Sequence, residues 1–117
     1  MSQRRRSNIA ARRQAHASVF AALGDETRLA LLAKLSDGRR SSISQLTEGS
    51  RITRQAITKH LRVLENAGIV NAVRNGRESL FELDPEPIAE VRQYLDQVSR
   101  EWDHALSRLK SLVEPQA

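Results

Sequence analysis

One side of a predicted helix between Thr53 and Gly68 is covered with hydrogen-bond donors. Its members follow one another at spacings of one and three residues: Arg54, Gln55, Thr58, Lys59 and Arg62. Guanidinium and amide groups can bind base edges in the major groove, and hydroxyl and ammonium groups can bind phosphate. The first acid in this helix is Glu65, near its end. These side chains therefore have the chemistry that is needed to bind and read duplex DNA.

The other side of the same helix is apolar, because Ile57, Leu61 and Leu64 follow one another at spacings of four and three residues. Thr53 can cap the start of the helix, and Gly68 suits the left-handed position that closes it. An amphipathic helix whose polar face is merely solvated has the same pattern. The choice between the two interpretations therefore depends on the flanking sequence.

Other kinds of chemistry find little support in the residue inventory. The chain has no cysteine, which excludes disulfides, thiolate metal sites and cysteine nucleophiles. A zinc site would need His16 of one copy to meet His104 and nearby carboxylates of another copy, and an ordinary hydrogen-bonded or surface histidine is the simpler interpretation. This inventory predicts no metal site. Because there is also no nucleophile elbow and no phosphate-binding glycine loop, we expect no catalytic residue and no cofactor, and the chain is not expected to be an enzyme.

The net charge of +5 is concentrated in two segments. Residues 1–13 contain five arginines and no acid, and residues 51–77 contain six basic side chains against Glu65 alone. Residues 84–117 are acidic, with seven acids against four bases. A basic central segment attracts a polyanion through Coulomb interaction and counterion release, which favours the DNA interpretation. We expect residues 1–7 to be a disordered basic arm that either contacts a minor groove or phosphates or serves only as a solubilising tail.

Two helices precede the basic helix in the predicted order. The first runs to Leu23 from a cap at Ser7 or Asn8, and the second is capped by Asp25 after a break at Gly24. The apolar positions that we expect to face a core from the second helix are Leu29, Leu32 and Leu35, with Leu31 beside them. A single domain is therefore expected to cover residues 8–114.

A short helix lies directly before the basic helix. Ser42 and Gln45 have the spacing of a capping box, which predicts a helix from Ile43 to Glu48. Gly49 ends that helix, and Thr53 begins the next one. A short helix, a tight turn and a longer basic helix are typical of a helix-turn-helix.

After Gly68 the hydrophobic pattern changes from that of a helix to that of strands. Two strand-like runs surround Asn75-Gly76, which is the strongest short signal for a hairpin with a type I′ turn. Arg74 and Arg77 flank that dipeptide. The sequence therefore predicts a wing tipped by arginines, whose guanidinium groups can reach phosphates or a minor groove.

The last helix is predicted to run from Pro85 to Val113, with Asp84 as its cap. An apolar seam follows its whole length at alternating spacings of three and four: Ile88, Val91, Leu95, Val98, Trp102, Ala105, Leu109 and Leu112. A core this small cannot cover so long a seam, so we expect part of it to pack on a second copy, although packing wholly within one protomer is the alternative. The expected dimer-interface residues are Val19, Phe20, Val91, Leu95, Val98, Trp102, Leu106 and Leu109.

With these residues in this order, the chain resembles the ArsR-type winged helix-turn-helix transcriptional regulators of bacteria. The resemblance lies in three segments: FAALGDETRLALLAKL at 20–35, ITRQAITKHLRVLENAGIV at 52–70 and RNGRESLFELDPEPI at 74–88. It implies a homodimer that pairs through the first and last helices and binds operator DNA with the fourth helix and the wing. Together with the charge pattern, it predicts the DNA-binding set Arg51, Thr53, Arg54, Gln55, Thr58, Lys59, His60, Arg62, Arg74, Asn75 and Arg77.

The chain departs from the metal-sensing members of that family. Its third helix, SSISQLTEG, has no cysteine, and Asp96 in the last helix is followed by Gln97 and Val98 rather than by the Asp-x-His pair. The chain therefore looks more like the metal-independent branch, for which an unknown inducer is expected as a partner.

The fold that we expect is mainly α with a small β-hairpin, in the winged-helix order α1-α2-α3-α4-β-β-α5. The expected function is that of a homodimeric, sequence-specific repressor that reads an inverted-repeat operator in double-stranded DNA with helix 53–67 and the wing at 74–77. The alternative is a winged-helix protein-interaction module with only non-specific affinity for DNA. No apolar run approaches the length of a membrane span, so we expect a cytoplasmic location and no membrane partner.

Overall fold

A computed structural model of the chain describes residues 2–114, and it has the winged-helix order predicted above. The elements are α1 (Ser2–Leu23), α2 (Glu26–Leu35), β1 (Ser41–Ser42), α3 (Ile43–Thr47), α4 (Arg54–Asn66), β2 (Val70–Asn75), β3 (Glu78–Leu83) and α5 (Glu86–Val113). The predicted fold class is therefore confirmed, with one strand more than expected.

The first helix begins at Ser2, before the predicted cap at Ser7 or Asn8. Residues 2–7 are helical because the arginines among them favour helix and neither glycine nor proline interrupts them. This helical geometry differs from the disorder that the sequence predicts for residues 1–7. Met1 lies outside the described residues. The division into an arm at 1–7 and a domain at 8–114 stays a prediction.

Side-chain caps begin the next two helices where the sequence predicts them. The Asp25 carboxylate accepts the backbone N–H of Arg28 at 3.1 Å at the start of α2. At the start of α3, the Ser42 hydroxyl accepts the Gln45 N–H at 3.2 Å, and the Gln45 side chain accepts the Ser42 N–H at 2.9 Å. These bonds pair amide hydrogens that a helix start would otherwise leave without a partner.

The core is a continuous apolar cluster to which every helix and the sheet contribute. Its buried members are Val19, Ala22, Leu31, Leu32, Leu35, Leu46, Ile57, Leu61, Leu64, Ile69, Val70, Phe81 and Val91. Leu29 is the exception among the predicted core leucines, since 51% of it is exposed. An α-helix turns about 100° per residue, so Leu31, Leu32 and Leu35 share one face of α2 and Leu29 lies at its side.

The sheet has three antiparallel strands in the order β1-β3-β2. In the hairpin, Ala72 pairs with Phe81 and Asn75 with Glu78. Ser41 pairs with Phe81 from the other side, so the two residues of β1 cover the edge of β3. The sequence did not predict β1, because two serines have neither the length nor the apolar alternation of a strand.

The turn of the wing is made by Gly76 and Arg77, one residue later than predicted. Gly76 has a φ of +66°, and no other residue type within the described range has a positive φ. A positive φ at the first central position alone is the pattern of a type II′ turn, whereas the predicted type I′ turn needs it at both. The prediction of a type I′ turn is therefore wrong, and Arg77 lies in the turn itself.

The last helix is 28 residues long, which corresponds to about 42 Å. It begins at Glu86, one residue later than predicted, and the Glu86 N–H donates to the Asp84 carboxylate at 3.1 Å. Of its apolar side chains, Val91 is buried in the core, whereas those toward the C-terminal end are exposed. This helix therefore extends well beyond the domain that its first turns help to build.

Two leucines of α2 allow the core assignment to be tested with one substitution. Leu35→Ala should lower the free energy of unfolding by about 2–5 kcal/mol, because Leu35 is fully buried and truncation leaves a cavity. Leu29→Ala on the same helix should change it by no more than about 0.5 kcal/mol. Urea unfolding measures both, and equal losses would show that Leu29 belongs to the core.

Candidate nucleic-acid interface

Helix α4 presents one face to the core and the other to solvent. Ile57, Leu61 and Leu64 are each no more than 1% exposed. This packing turns the polar face outward, where no acid lies in the first turn. The side chains exposed on that face are Arg54, Gln55, Lys59 and Arg62, with Thr58 half-buried among them. The structure therefore brings together on one surface the five polar residues of α4 whose spacing predicts a DNA-binding face.

The two threonines of this face bind the helix backbone. The Thr53 hydroxyl accepts the Ala56 N–H at 3.2 Å and so caps α4, as predicted. The Thr58 hydroxyl donates to the carbonyl oxygen of Arg54 at 2.9 Å. At the other end of the helix, Gly68 has a φ of +78°, which is the left-handed position that its residue type predicts.

Arg54 and the wing tip line the same surface groove. One Arg54 Nη donates to the Ser44 hydroxyl of α3 at 3.2 Å, which holds this side chain against the preceding helix. A groove of about 430 Å³ is lined by Arg54, Arg77, Glu78 and residues 42–44 and 79. Because Arg77 lies in the turn, the start of α4 and the tip of the wing form one continuous polar surface.

The remaining predicted contacts of the basic segment are exposed. Arg51 lies in the turn between α3 and α4, and Asn75 ends β2 beside the wing turn. The Arg74 Nε donates to the Gly76 carbonyl at 3.4 Å, so its guanidinium lies against the turn. From Arg51 to Glu78 this surface carries six bases against two acids, which are Glu65 and Glu78. Its charge therefore suits a polyanion.

His60 does not lie on this surface, so its assignment to the DNA-binding set is corrected. Its Nδ1 is 3.2 Å from an Arg28 Nη and 3.7 Å from the Asp25 carboxylate. Both residues belong to the start of α2, on the inner side of α4. His60 follows Lys59 by one residue, and a step of 100° turns its ring away from the exposed face.

The predicted dimer residues divide into buried and exposed ones. Val19 and Val91 are 5% and 4% exposed, so they belong to the protomer's own core, and their assignment to the dimer interface is corrected. Phe20 and Val98 are half-buried. The exposed members, which are between 49% and 64% accessible, are Leu95, Trp102, Leu106 and Leu109. The seam is thus split, because its first turns cover the core and its later turns extend past it.

Other candidate chemistry is sparse in the part of the chain that the structure describes. Among those residues, no cluster of three or more histidine and carboxylate side chains could hold a metal ion. The His16 ring instead lies beside the Tyr94 ring at a tilt of 43°, with ring centroids 4.9 Å apart. No described helix is both long and apolar enough to cross a membrane.

Sequence and structure comparisons agree with this geometry. The family model described as "Bacterial regulatory protein, arsR family" matches residues 25–72, which extend from the cap of α2 into β2. The HTH-type transcriptional regulator YuzN of Bacillus subtilis is 40% identical over 77 residues, which cover 61% of this chain and 84% of the relative. The regulator Rv2034 of Mycobacterium tuberculosis is 32% identical over 93 residues, which cover 80% of this chain and 83% of the relative.

The chain belongs to the ArsR family. The members of this family are transcriptional regulators rather than enzymes, and the basic surface of α4 and the wing belongs to a winged helix-turn-helix DNA-binding domain. The solved structure of an ArsR-like transcriptional regulator from Rhodococcus sp. RHA1 matches with a TM-score of 0.76 at 36% identity, covering 88% of this chain and 96% of that chain. The family resemblance stated from the sequence is therefore confirmed.

Two residues that contact side chains of α4 in this ArsR domain were not predicted from the sequence. Ser44 tethers Arg54, and Arg28 contacts His60. Arg28 lies within the segment 20–35 that carries the family resemblance, but a single arginine among leucines has no periodicity to mark it. Only the proximity of α2 and α4 in the fold identifies it.

Thr53 is both the cap of α4 and a predicted DNA contact, and the two roles can be separated. Thr53→Ala should lower the free energy of unfolding by about 1 kcal/mol, because the Ala56 N–H loses its acceptor. Thr53→Ser should preserve most of it, since serine caps equally well. If Thr53→Ala weakens DNA binding while unfolding is unchanged, the hydroxyl binds DNA and does not act as a cap.

Proposed function

We propose that this ArsR-family protein is a homodimeric, sequence-specific repressor that binds an inverted-repeat operator. The observation that carries the proposal is the exposed cationic and amide face of α4, which adjoins the arginine at the tip of the wing. A helix of this composition fits the major groove, and an adjacent wing fits the flanking backbone. The proposed target is double-stranded DNA.

In this proposal, the residues that contact base edges are Arg54, Gln55 and Thr58. Glutamine can bind adenine through two hydrogen bonds, and arginine can do the same with guanine. Lys59, Arg62 and Arg77 supply charge for phosphates, and this binding is independent of sequence. The Ser44 hydroxyl supports Arg54 by holding one side of its guanidinium, which reduces the side-chain entropy lost on binding.

The exposed end of α5 supports a dimer. Trp102 is 64% exposed and Leu109 is 57% exposed, and these side chains share a stripe with Leu95 and Leu106. A stripe of large apolar side chains on one helix is typical of an interface. Pairing about a two-fold axis would present two α4 helices to successive major grooves about 34 Å apart, which requires an inverted repeat.

Repression is proposed from relatives that are named as repressors. The transcriptional repressor SmtB of Mycobacterium tuberculosis and the arsenical resistance operon repressor of Bacillus subtilis are each 28% identical to this chain over part of its length. A dimer that covers promoter DNA would exclude RNA polymerase. Reporter expression from the bound promoter in cells with and without the protein tests this direction of control.

Competition binding separates the proposal from the alternative of a protein-interaction module. Duplexes are first selected by the wild-type protein from a random 30-base-pair pool, and a labelled selected duplex is then challenged with unlabelled copies or with unselected pool. If the proposal is correct, the selected duplexes contain inverted repeats, and the unselected pool competes much more weakly than unlabelled copies of the selected duplex. Equal competition would leave only non-specific affinity and favour the interaction module.

Two substitutions test the division between base and phosphate contacts. Gln55→Ala should weaken binding of the selected duplex by about 1–3 kcal/mol and affect random DNA little, because it removes base readout. Arg77→Ala should weaken both alike and lower the slope of log affinity against log salt by about one. Arg108→Ala, on the exposed surface of α5, is the matched control. Equal losses on both DNAs for Gln55→Ala would contradict the assignment.

The dimer can be tested on α5 alone. Leu109→Gln should shift sedimentation toward the 13.2 kDa protomer, because it places an amide in the apolar stripe. Arg100→Gln lies on the opposite side of the helix and should leave the dimer intact. Both residues are exposed in the protomer, so neither change disturbs the core. A wild-type protein that sediments as a protomer even with the selected duplex would refute the dimeric proposal.

A further inference from the structure

The Arg28 guanidinium lies where three helices meet. Its Nε donates to the Ala22 carbonyl at 2.7 Å, and one Nη donates to the Ala21 carbonyl at 3.3 Å. Both carbonyls lie in the last turn of α1, and that of Ala21 also accepts the Gly24 N–H at 3.2 Å. The other Nη contacts the Nδ1 of His60 on α4 at 3.2 Å. One planar side chain thus joins the end of α1, the start of α2 and the recognition helix.

A carboxylate completes the cluster. Asp25 accepts the backbone N–H of Arg28, and this hydrogen bond, together with the nearby guanidinium, holds the pKa of the Asp25 carboxyl below its usual range. Asp25 is therefore ionised at neutral and mildly acidic pH. Its Oδ2 lies 3.7 Å from the Nδ1 of His60. The charged groups that face the ring are thus Asp25 and Arg28 of the α2 start, while α1 contributes the two carbonyls that Arg28 binds.

We propose that Arg28 is a positioning residue for DNA recognition, which sets the orientation of α4 against α1 through the Nδ1 of His60. This inference rests on the proposed reading of DNA by α4. The apolar packing of α4 decides which face of the helix lies against the core, but hydrophobic burial is non-directional and still permits small rotations of the helix about its axis. A hydrogen bond from a guanidinium that is already held by two carbonyls is directional.

The contact also depends on which ring nitrogen of His60 carries the proton. An arginine only donates, so the Nδ1 must accept, which requires the tautomer with its proton on Nε2.

The experiment compares two replacements of His60 at constant ionic strength. His60→Asn keeps an acceptor near the Nδ1 position, so it should bind the selected duplex as the wild type does at pH 8. His60→Leu removes the acceptor and should bind about tenfold more weakly. Arg28→Lys keeps the charge, but a single ammonium cannot hold α1 and His60 together, so it should behave like His60→Leu.

His104→Asn is the matched control, since it removes another imidazole from an exposed position on α5 and should keep the wild-type affinity. Sedimentation and thermal unfolding are measured for each variant, because a role confined to stability would change unfolding and leave affinity unchanged. Wild-type affinity in His60→Leu, or an affinity of His60→Asn as low as that of His60→Leu, would overturn the inference.

A DNA-independent measurement distinguishes this inference from the proposed function. Two-dimensional ¹H–¹⁵N spectra of the histidine rings at pH 8 should show His60 with an unprotonated Nδ1, and Arg28→Lys should shift that resonance. A protonated Nδ1 at pH 8 would overturn the Arg28 contact even if specific DNA binding is found. Equal affinity of the wild type for selected and random DNA would instead refute the proposed function and, with it, the role of Arg28 in recognition.

Discussion

The burial of one face of α4 is the interaction on which the rest of the structure depends. Ile57, Leu61 and Leu64 are almost completely removed from water. Burying three large aliphatic side chains stabilises the fold by roughly 1.5–3 kcal/mol each, which is more than the exposed polar side chains of the helix can contribute. Because the helix has no other way to bury these groups, its cationic face must point outward. Stability and the presentation of the DNA-binding surface thus have the same cause.

The elements around α4 orient this helix and its side chains through hydrogen bonds and turns, in addition to the apolar burial. Asp25, Ser42 and Thr53 cap the starts of α2, α3 and α4 in turn. The turn at Gly76 places Arg77 beside the first turn of α4, and Ser44 holds Arg54 from α3. The result is a polar surface assembled from three elements, which are α3, α4 and the wing. This arrangement is typical of a helix-turn-helix, in which short elements orient one longer helix.

The long last helix has two physically different halves. Near Val91 it closes the core against α1, and beyond Val98 its apolar side chains face solvent in the single protomer. A periodic apolar seam predicts that one face of a helix is buried. Whether the core of the protomer or a second copy covers that face depends on where the domain ends. The sequence therefore predicted Val19 and Val91 to lie in an interface with a second copy, when the core of the protomer already takes them. The exposed residues of the same seam are those on which the proposed dimer depends.

Local patterns were sufficient wherever a single element carried the information. The amphipathic period of α4, the capping box at Ser42 and the glycine that closes α4 all depend on side chains within a few residues of one another, so the sequence alone determined them and, with them, the family. The tertiary structure decided what depends on distant parts of the chain. It moved the wing turn to Gly76-Arg77 through the strand register, added β1 by pairing two serines to Phe81, and turned His60 inward to Arg28, 32 residues earlier in the chain. Such contacts have no local pattern, because their free energy comes from packing and hydrogen bonds that exist only once the helices have met.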